Sequence, residues 1–267
     1  MPGMDFTEQA LAGRLSGRHI GNSIHFFNEV ESTNDIAFSL AIHGASEGTV
    51  VIANRQTRGK GRLNRLWQSP SNCNLYTSIV LRPETDPVFA PQITLLTGVA
   101  VAELLSRRHL ADVTLKWPND VQIGGKKVCG ILTEMKTTAD RRIDFVIVGI
   151  GININMRKED FDDSFRESST SIKEETGGDI SRLEFAVALY DHFEKWIAIW
   201  IQQGFSPVGE AWLTYSHMVG KRIQVASHGN IQTGEMTGID DDGSLLISDD
   251  SGTIRKILAG DASVVKH

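Results

Sequence analysis

Short apolar runs and longer helical repeats alternate along the first half of this chain. Runs over Ser23–Asn28, Thr49–Asn54 and Asn74–Leu81 have the length of buried strands. Apolar positions at helical spacing over Asp86–Arg108 predict a long helix. A shorter repeat predicts a helix after the first strand, and its apolar positions are Ile36, Ala37, Leu40 and Ala41. This half therefore predicts strands that pack against helices.

Three further strand-like runs follow in the middle of the chain. They cover Thr114–Ile123, Lys126–Lys136 and Asp144–Asn153. Gly124-Gly125 and the polar stretch Thr137–Arg142 separate them, which is typical of a meander of hairpins. Counting outward from the glycine turn pairs Ile123 with Lys126, Gln122 with Lys127 and Asp120 with Cys129.

The last third predicts two helices and then short strands. Ser181 and Glu184 form a capping-box pattern that opens a helix ending at Gly204, and a second helix is predicted over Pro207–His217. From Gly220 onward, Asp- and Gly-rich turns break the chain into short strands. The predicted fold class is α+β: a mixed β-sheet domain flanked by helices over residues 1–217, and a small C-terminal β-barrel over residues 218–267.

Composition excludes several classes of protein. With 267 residues, 40% of them hydrophobic and 22% charged, the chain is neither disordered nor fibrous. No apolar stretch is expected to reach membrane-spanning length, and the start at Met1–Asp5 does not resemble a signal segment, so we expect a cytoplasmic protein without membrane contact. Two distant cysteines and scattered histidines argue against a disulfide framework and against zinc.

Positive charge is concentrated in one segment of an acidic chain. The net charge is −6, which disfavours broad binding to nucleic acid. Arg55–Arg65 nevertheless holds five cations and no acid. Its glycines, Gly59 and Gly61, let backbone amides approach an anion, so the segment suits a carboxylate or phosphate. A solvated basic loop is the alternative interpretation.

The predicted hairpin places a carboxylate beside an ammonium. Alternation puts Asp120, Gln122, Lys127 and Cys129 on one face, with Asp120 and Lys127 as diagonal neighbours. They could form an ordinary surface ion pair. Alternatively, Asp120 could bind magnesium while Lys127 binds an anionic substrate, as phosphoryl or nucleotidyl chemistry requires.

Two other features allow a structural and a functional interpretation. Ser32-Thr33-Asn34 could cap the following helix, or could bind a polar group or anion at its positive end. Trp67 could belong to the core, or could pack over a flat ligand.

Taken together, these segments resemble the biotin protein ligases. The resemblance is carried by five stretches in this order: Glu31-Ser32-Thr33-Asn34, Gln56 to Arg62 with Trp67, Lys116-Trp117-Pro118-Asn119-Asp120, Lys127-Val128-Cys129-Gly130-Ile131-Leu132, and Gly149-Ile150-Gly151-Ile152-Asn153. It covers the chain from about Ile24 to Val265. Residues 1–217 would then be the catalytic domain.

The resemblance implies a two-step reaction. Biotin and MgATP would give biotinyl-5′-adenylate, which a lysine of a biotin carboxyl carrier domain would then attack. Lys127 and Arg62 would be catalytic, and Asp120 is the candidate ligand for Mg²⁺. The implied biotin-binding residues are Ser32, Thr33, Asn34, Gln56, Lys60, Gly61, Arg62 and Lys127. The implied ATP- and adenylate-binding residues are Arg58, Gly59, Lys60, Arg62, Trp67, Asn119, Lys127, Gly149, Gly151 and Asn153.

Two positions depart from the family pattern. Lys60 stands where arginine is common, and lysine lacks the planar fork of a guanidinium. Asn64 stands at a common glycine position, and asparagine tolerates a left-handed backbone. Because its like charges repel and nothing within the segment anchors it, we expect the loop Arg55–Leu66 to be mobile until biotin and ATP order it.

The alternatives are a lipoate or octanoate ligase or transferase of related fold, and a regulator that binds DNA. The early strand Ser23–Asn28 leaves little room for an N-terminal winged helix, so we expect a monofunctional ligase that does not bind nucleic acid. The expected protein partner is a biotin carboxyl carrier domain, and the sequence is compatible with both a monomer and a homodimer.

Overall fold

The structure is a computed structural model that describes residues 6–108, 110–227 and 229–265. Met1–Asp5, the start considered above, lies outside the described residues. A seven-stranded sheet forms the centre, with strand order β1-β2-β3-β7-β6-β5-β4. Its strands are β1 Ser23–Val30, β2 Thr49–Gln56, β3 Leu75–Leu81, β4 Val113–Lys116, β5 Asp120–Ile123, β6 Lys126–Thr137 and β7 Ile143–Ile152. Only β1 and β2 among these pairs run parallel, so the predicted mixed sheet is confirmed.

Helices cover both faces of this sheet. They are α1 Glu8–Leu15, α2 Thr33–Ile42, α3 Pro91–Arg107, α4 Ile172–Thr176, α5 Arg182–Gln203 and α6 Ser206–Tyr215. Alternation along β2 explains the two faces, since Val51 packs with α2 on one side and Val50 and Ile52 join the main core on the other. The sequence pattern did not predict α1 or α4.

The long helix begins later than predicted. A 3₁₀ turn at Pro87–Phe89 precedes α3, whose first residue is Pro91, a residue suited to the first helical position. Pro87–Arg107 is long and apolar enough to cross a membrane by length and composition, contrary to the expectation above. Because 72% of its most apolar window is buried in the fold, it has the character of a core helix.

The prediction of one strand over Thr114–Ile123 is wrong, because the structure has two strands in this region. β4 and β5 pair antiparallel, with Lys116 opposite Asp120, and Trp117-Pro118-Asn119 forms the turn between them. Proline explains the break, since its ring fixes φ and it lacks an N–H for the ladder.

The hairpin between β5 and β6 contains a bulge. Ile123 pairs with Lys126 and Gln122 with Lys127 as predicted, but Val121 pairs with Cys129 and Asp120 with Gly130. The predicted pairing of Asp120 with Cys129 is therefore wrong by one residue. Cys129 is fully buried and shares the core face with Val121, whereas Asp120, Gln122 and Lys127 lie on the other face.

A separate antiparallel sheet of five strands follows α6. It contains β8 Arg222–Ser227, β9 Asn230–Ile239, β10 Leu245–Ser248, β11 Ile254–Ile257 and β12 Asp261–Val264 in the order β11-β10-β9-β8-β12. Among the described residues β11 and β12 are the two edge strands and do not pair with each other, so this sheet is open. The predicted barrel is therefore corrected to an open sheet. Closure would need these two strands to pair. The domain boundary at 217/218 remains a prediction.

Candidate active site

A cavity of about 680 Å³ lies over the polar face of the central sheet. The start of α2, the basic loop, the turn between β4 and β5, and β12 surround it. It brings together most of the residues singled out in the sequence, namely Ser32, Thr33, Asn34, Gln56, Lys60, Gly61, Arg62, Trp67, Asn119, Asp120, Lys127, Gly149, Gly151 and Asn153. Arg58 and Gly59 do not line it, because Arg58 is turned outward to Glu31 and Gly59 lies under the carbonyl of Trp67.

One end of the cavity is lined by neutral polar groups at the start of α2. Ser32 occupies the N-cap position, yet its side chain makes no capping hydrogen bond. Thr33 donates to Gln56 Oε1 from its backbone N–H at 2.8 Å and from its hydroxyl at 3.0 Å. The side chain of Gln56 therefore caps the N-terminus of α2 in place of the Ser32 hydroxyl.

Asn34 is held in one orientation by its neighbours. Its amide nitrogen donates to Glu134 at 2.7 Å and to the carbonyl of Leu132 at 3.3 Å, and its oxygen accepts from Ser78 at 2.6 Å. A Cβ on Gly149 would lie only 2.1 Å from that oxygen. The missing side chain of Gly149, an implied adenylate-binding residue, therefore makes room for Asn34.

Trp67 lies flat across two strands of the sheet. A Cβ at Gly151 would lie 2.5 Å from its Nε1, and one at Gly130 would lie 2.9 Å from its six-membered ring. Lys127 Nζ lies 5.4 Å from the ring centroid, within cation–π range. The indole Nε1 is buried against Gly151 without a hydrogen-bond partner among the described residues.

Lys127 and Asp120 form an ion pair in the cavity, beside Trp67. Nζ lies 2.5 Å from Asp120 Oδ1, with the two side chains 30% and 18% exposed. This burial distinguishes the contact from an exposed surface pair. Beneath them, burial raises the pKa of the Cys129 thiol while Lys127 opposes that shift, so Cys129 is a neutral core residue.

The acidic side chains near the cavity determine how many protein ligands a metal ion could have. Among the described residues, no three His, Cys, Asp or Glu side chains form a metal-binding group. Asp120 would therefore supply a single carboxylate. That fits Mg²⁺, which commonly takes one or two carboxylates and completes its shell with phosphate oxygens and water.

Carboxylates outside the basic loop pair with all five of its cations, so contacts with other parts of the chain hold a segment that was expected to have no anchor of its own. Arg55 pairs with Glu29 at 2.7 Å, Arg58 with Glu31 at 3.2 Å, Lys60 with Asp35, and both Arg62 and Arg65 with Asp261. Backbone hydrogen bonds from Gly61 to Arg65 and from Trp67 to Gly59 close the loop. Leu63 and Asn64 adopt left-handed φ values of 54° and 59°, which the asparagine tolerates as expected.

Several cavity residues were not singled out in the sequence. They are Phe161, Phe165, Ser168, Ser169, Asp261 and Ser263. Lys116 and Gln122 also line the cavity, and both were named above without a role. Phe161 and Phe165 belong to a polar, aperiodic stretch after β7, where two aromatic residues were the only sequence signal. Asp261 had no signal, because it reaches Arg62 across 199 positions of the chain.

Comparison with known proteins agrees with this geometry. Residues 26–153 match the model of the biotin/lipoate A/B protein ligase family, and residues 219–265 match that of the biotin protein ligase C-terminal domain. A bifunctional ligase/repressor BirA of Bacillus spizizenii is 36% identical over 96% of this chain and 78% of its own length. The chain belongs to the biotin protein ligases. The family expectation from the motifs is thereby confirmed.

Two further relatives of this biotin protein ligase match over most of their length. A biotin–[acetyl-CoA-carboxylase] ligase of Paracoccus denitrificans is 33% identical over 83% of this chain and 92% of its own. Biotin protein ligase from Aquifex aeolicus in complex with biotin and ATP has a TM-score of 0.78 and 30% identity, covering 92% of this chain and 100% of that one.

Proposed function

We propose that this ligase activates biotin with ATP and transfers it to a lysine of a biotin carboxyl carrier domain. In the first step, a carboxylate oxygen of biotin attacks the α-phosphorus of ATP, forming biotinyl-5′-adenylate as pyrophosphate leaves. In the second, a carrier lysine attacks the carbonyl carbon, an amide forms, the bond to AMP breaks, and the attacking amine loses a proton to solvent.

The observation that carries this proposal is one cavity lined by two chemically distinct sets of side chains. Neutral polar groups at the start of α2 and at Gln56 suit the polar head of biotin. The cations Arg62 and Lys127 suit its carboxylate and the phosphate. Two anions must converge in the first step, and fixed cations reduce the repulsion between them.

The remaining site residues have assigned roles in the same scheme. Asn119, Asn153, Gly151 and Trp67, which line the same cavity, contact the adenylate. Lys60, Gly61, Arg58 and Gly59 belong to the covering loop. Asp120 would hold Mg²⁺, which when bound neutralises phosphate charge. A cation on Asp120 would also weaken its attraction for Lys127 and leave that ammonium for the substrate anions.

The experiment that tests this function is exchange of labelled pyrophosphate into ATP, with biotin, lipoate and octanoate as separate substrates. We expect exchange with biotin alone. Exchange with lipoate or octanoate but not biotin would support the related ligase activity that the family description also covers. Transfer of labelled biotin to a purified carrier domain tests the second step.

Partners and location are part of the same proposal. We propose a cytoplasmic enzyme whose protein substrate is the carrier domain, with residues 1–217 catalytic and 218–267 as the second domain. Dimerisation is tested by sedimentation with and without biotin and ATP. Since the relative from Bacillus spizizenii is named a ligase/repressor, a gel shift with promoter DNA tests the regulatory alternative, and we expect no shift.

A further inference from the structure

One carboxylate of the C-terminal sheet contacts two cations of the basic loop. Asp261, the first residue of β12, pairs through Oδ1 with Arg62 at 3.1 Å and through Oδ2 with Arg65 at 2.6 Å. The side chains of Asp261 and Arg62 are 27% and 22% exposed, and both residues line the cavity. Ala226, Ala262 and Ser263 of the second sheet also line the cavity, but Asp261 is the residue that pairs with the loop cations.

Three acceptors surround one nitrogen of Arg62. Its Nη1 donates to Asp261, to the carbonyl of Gly260 at 3.2 Å and to Asn119 Oδ1 at 3.3 Å. Asn119 is itself fixed, because its amide donates to the carbonyl of Ile131 at 2.8 Å. The position of Nη1 is thus set from both sheets.

The rest of the guanidinium is not used by the protein. Within residues 6–108, 110–227 and 229–265, Nη2 and Nε of Arg62 make no hydrogen bond. An arginine held by one nitrogen keeps the other donors of its planar fork for a phosphate or carboxylate. The contact with Asp261 therefore orients Arg62 without occupying it.

The backbone around Asp261 is rigid enough for this purpose. Asp261 pairs with Ala226 in the antiparallel ladder between β12 and β8. Gly260 has φ +152°, and a Cβ there would lie 2.6 Å from Val225 and 2.9 Å from the carbonyl of Ala226. Because only glycine fits, the carbonyl of residue 260 and the carboxylate of residue 261 are presented together.

Charge explains why an acid is needed at this position. Burial lowers the pKa of Arg62 from its ordinary value, Asp261 and Asp120 oppose that shift, and Arg65 adds to it. Without Asp261, two neighbouring arginines would repel each other at the edge of a partly buried site.

We infer that Asp261 is a positioning residue through which the C-terminal sheet holds Arg62 in place for the phosphate of ATP. This inference rests on the proposed adenylation of biotin. It predicts a larger effect of Asp261 on ATP than on biotin, since Ser32 and Gln56, which suit the polar head of biotin, lie on other elements and Arg62 would contact only its carboxylate.

The test compares Asp261→Asn, Asp261→Glu and the control Asp250→Asn. Asp250 pairs with Arg222 in the same sheet and does not line the cavity. In biotin-dependent pyrophosphate exchange, we expect Asp261→Asn to lower kcat/KM for ATP about tenfold. The dissociation constant for biotin, measured calorimetrically without ATP, should change less than twofold. Asp261→Glu should recover exchange to within about threefold of wild type, and Asp250→Asn should match wild type.

A second measurement does not depend on activity. Because Asp261 restrains Arg62 and Arg65, trypsin should cut after these two residues several times faster in Asp261→Asn than in Asp250→Asn, both without substrate. Wild-type levels of exchange and cleavage in Asp261→Asn would overturn the inference, as would an equal loss in Asp250→Asn. If Asp261→Asn does not fold, Asp261→Glu decides, because it keeps the negative charge at this position. A folded Asp261→Glu whose exchange rate falls to a tenth of the wild-type rate would then overturn the inference. Absence of biotin-dependent exchange in the wild type would instead contradict the proposed function.

Discussion

Lys127 Nζ lies 2.5 Å from Asp120 Oδ1 across the bulged hairpin of β5 and β6. The bulge places Asp120 opposite Gly130 and leaves both charged groups on the cavity face. The ammonium and the carboxylate neutralise each other in this arrangement. Substrate anions must therefore compete with Asp120 for Lys127, and a cation on Asp120 would shift that competition in their favour.

Lys127→Ala should lower the rate of biotin-dependent pyrophosphate exchange at least about a hundredfold, because a fixed charge at converging anions acts mainly in the transition state. Lys126→Ala is the matched control, since the neighbouring Lys126 does not line the cavity. Circular dichroism should show both variants folded. Exchange near the wild-type rate in folded Lys127→Ala would remove this residue from the catalytic group.

Asp120→Asn should raise the Mg²⁺ concentration needed for half-maximal exchange by roughly fivefold, because an amide is a weaker ligand for a hard cation than a carboxylate. The measurement is a magnesium titration at fixed ATP and biotin. The same variant removes the charge facing Lys127, so exchange at saturating magnesium reports that effect separately. An unchanged titration midpoint would exclude Asp120 as a metal ligand.

Most of the architecture could be predicted because buried apolar residues recur along the sequence with the spacing of strands and helices. Strands such as Leu75–Leu81 and the helix ending at Gly204 differ from their predictions by a residue or two. Two of the errors arose where one residue changes local geometry. Pro118 divides a strand, and the bulge after Val121 shifts the register at Asp120. Neither effect is visible in hydrophobic periodicity.

The candidate site was predictable where residues close in sequence form it, and much less so where distant segments meet. Glu134 orients Asn34 from 100 positions away, and Asp261 reaches Arg62 from 199. Such contacts depend on how sheets pack, which a local pattern does not specify. The loop cations appeared unpaired in the sequence for the same reason, since their partners lie in other elements.

Gly149→Ala should displace Asn34, because the new methyl group would lie 2.1 Å from an amide oxygen that Ser78 and Glu134 hold in place. We expect the free energy of unfolding to fall by about 1–3 kcal/mol and the dissociation constant for biotin to rise at least about tenfold. Gly13→Ala is the control. It lies in α1 with nothing within 4 Å of the new methyl group, so the helix should gain up to about 1 kcal/mol. Unchanged biotin affinity in Gly149→Ala would contradict the assignment of Asn34.

Neither cysteine should react with iodoacetamide in the folded protein near neutral pH. Burial raises the pKa of Cys73 to about 11 and also raises that of Cys129, so both remain as the unreactive thiol. Labelling of Cys73 should accelerate as the pH rises toward its pKa, while fully buried Cys129 stays protected. Mass spectrometry of the labelled protein reports each site, and unfolded protein provides the fully reactive control. Rapid labelling of either thiol near neutral pH would contradict this burial.

Limited trypsin digestion should reveal whether the loop Arg55–Leu66 becomes more ordered when substrates bind. The Arg58 and Arg65 side chains are 75% and 68% exposed, whereas that of Arg62 is 22% exposed, so the first cuts should follow Arg58 and Arg65. Biotin with ATP should slow these cuts several-fold, because phosphate contacts with Lys60 and Arg62 offset the ordering cost of about 1–2 kcal/mol per residue. Biotin with AMP serves as the control, since it cannot form the adenylate by this reaction. Equal cleavage under all conditions would show that the pairs with Glu31 and Asp261 already order the loop fully.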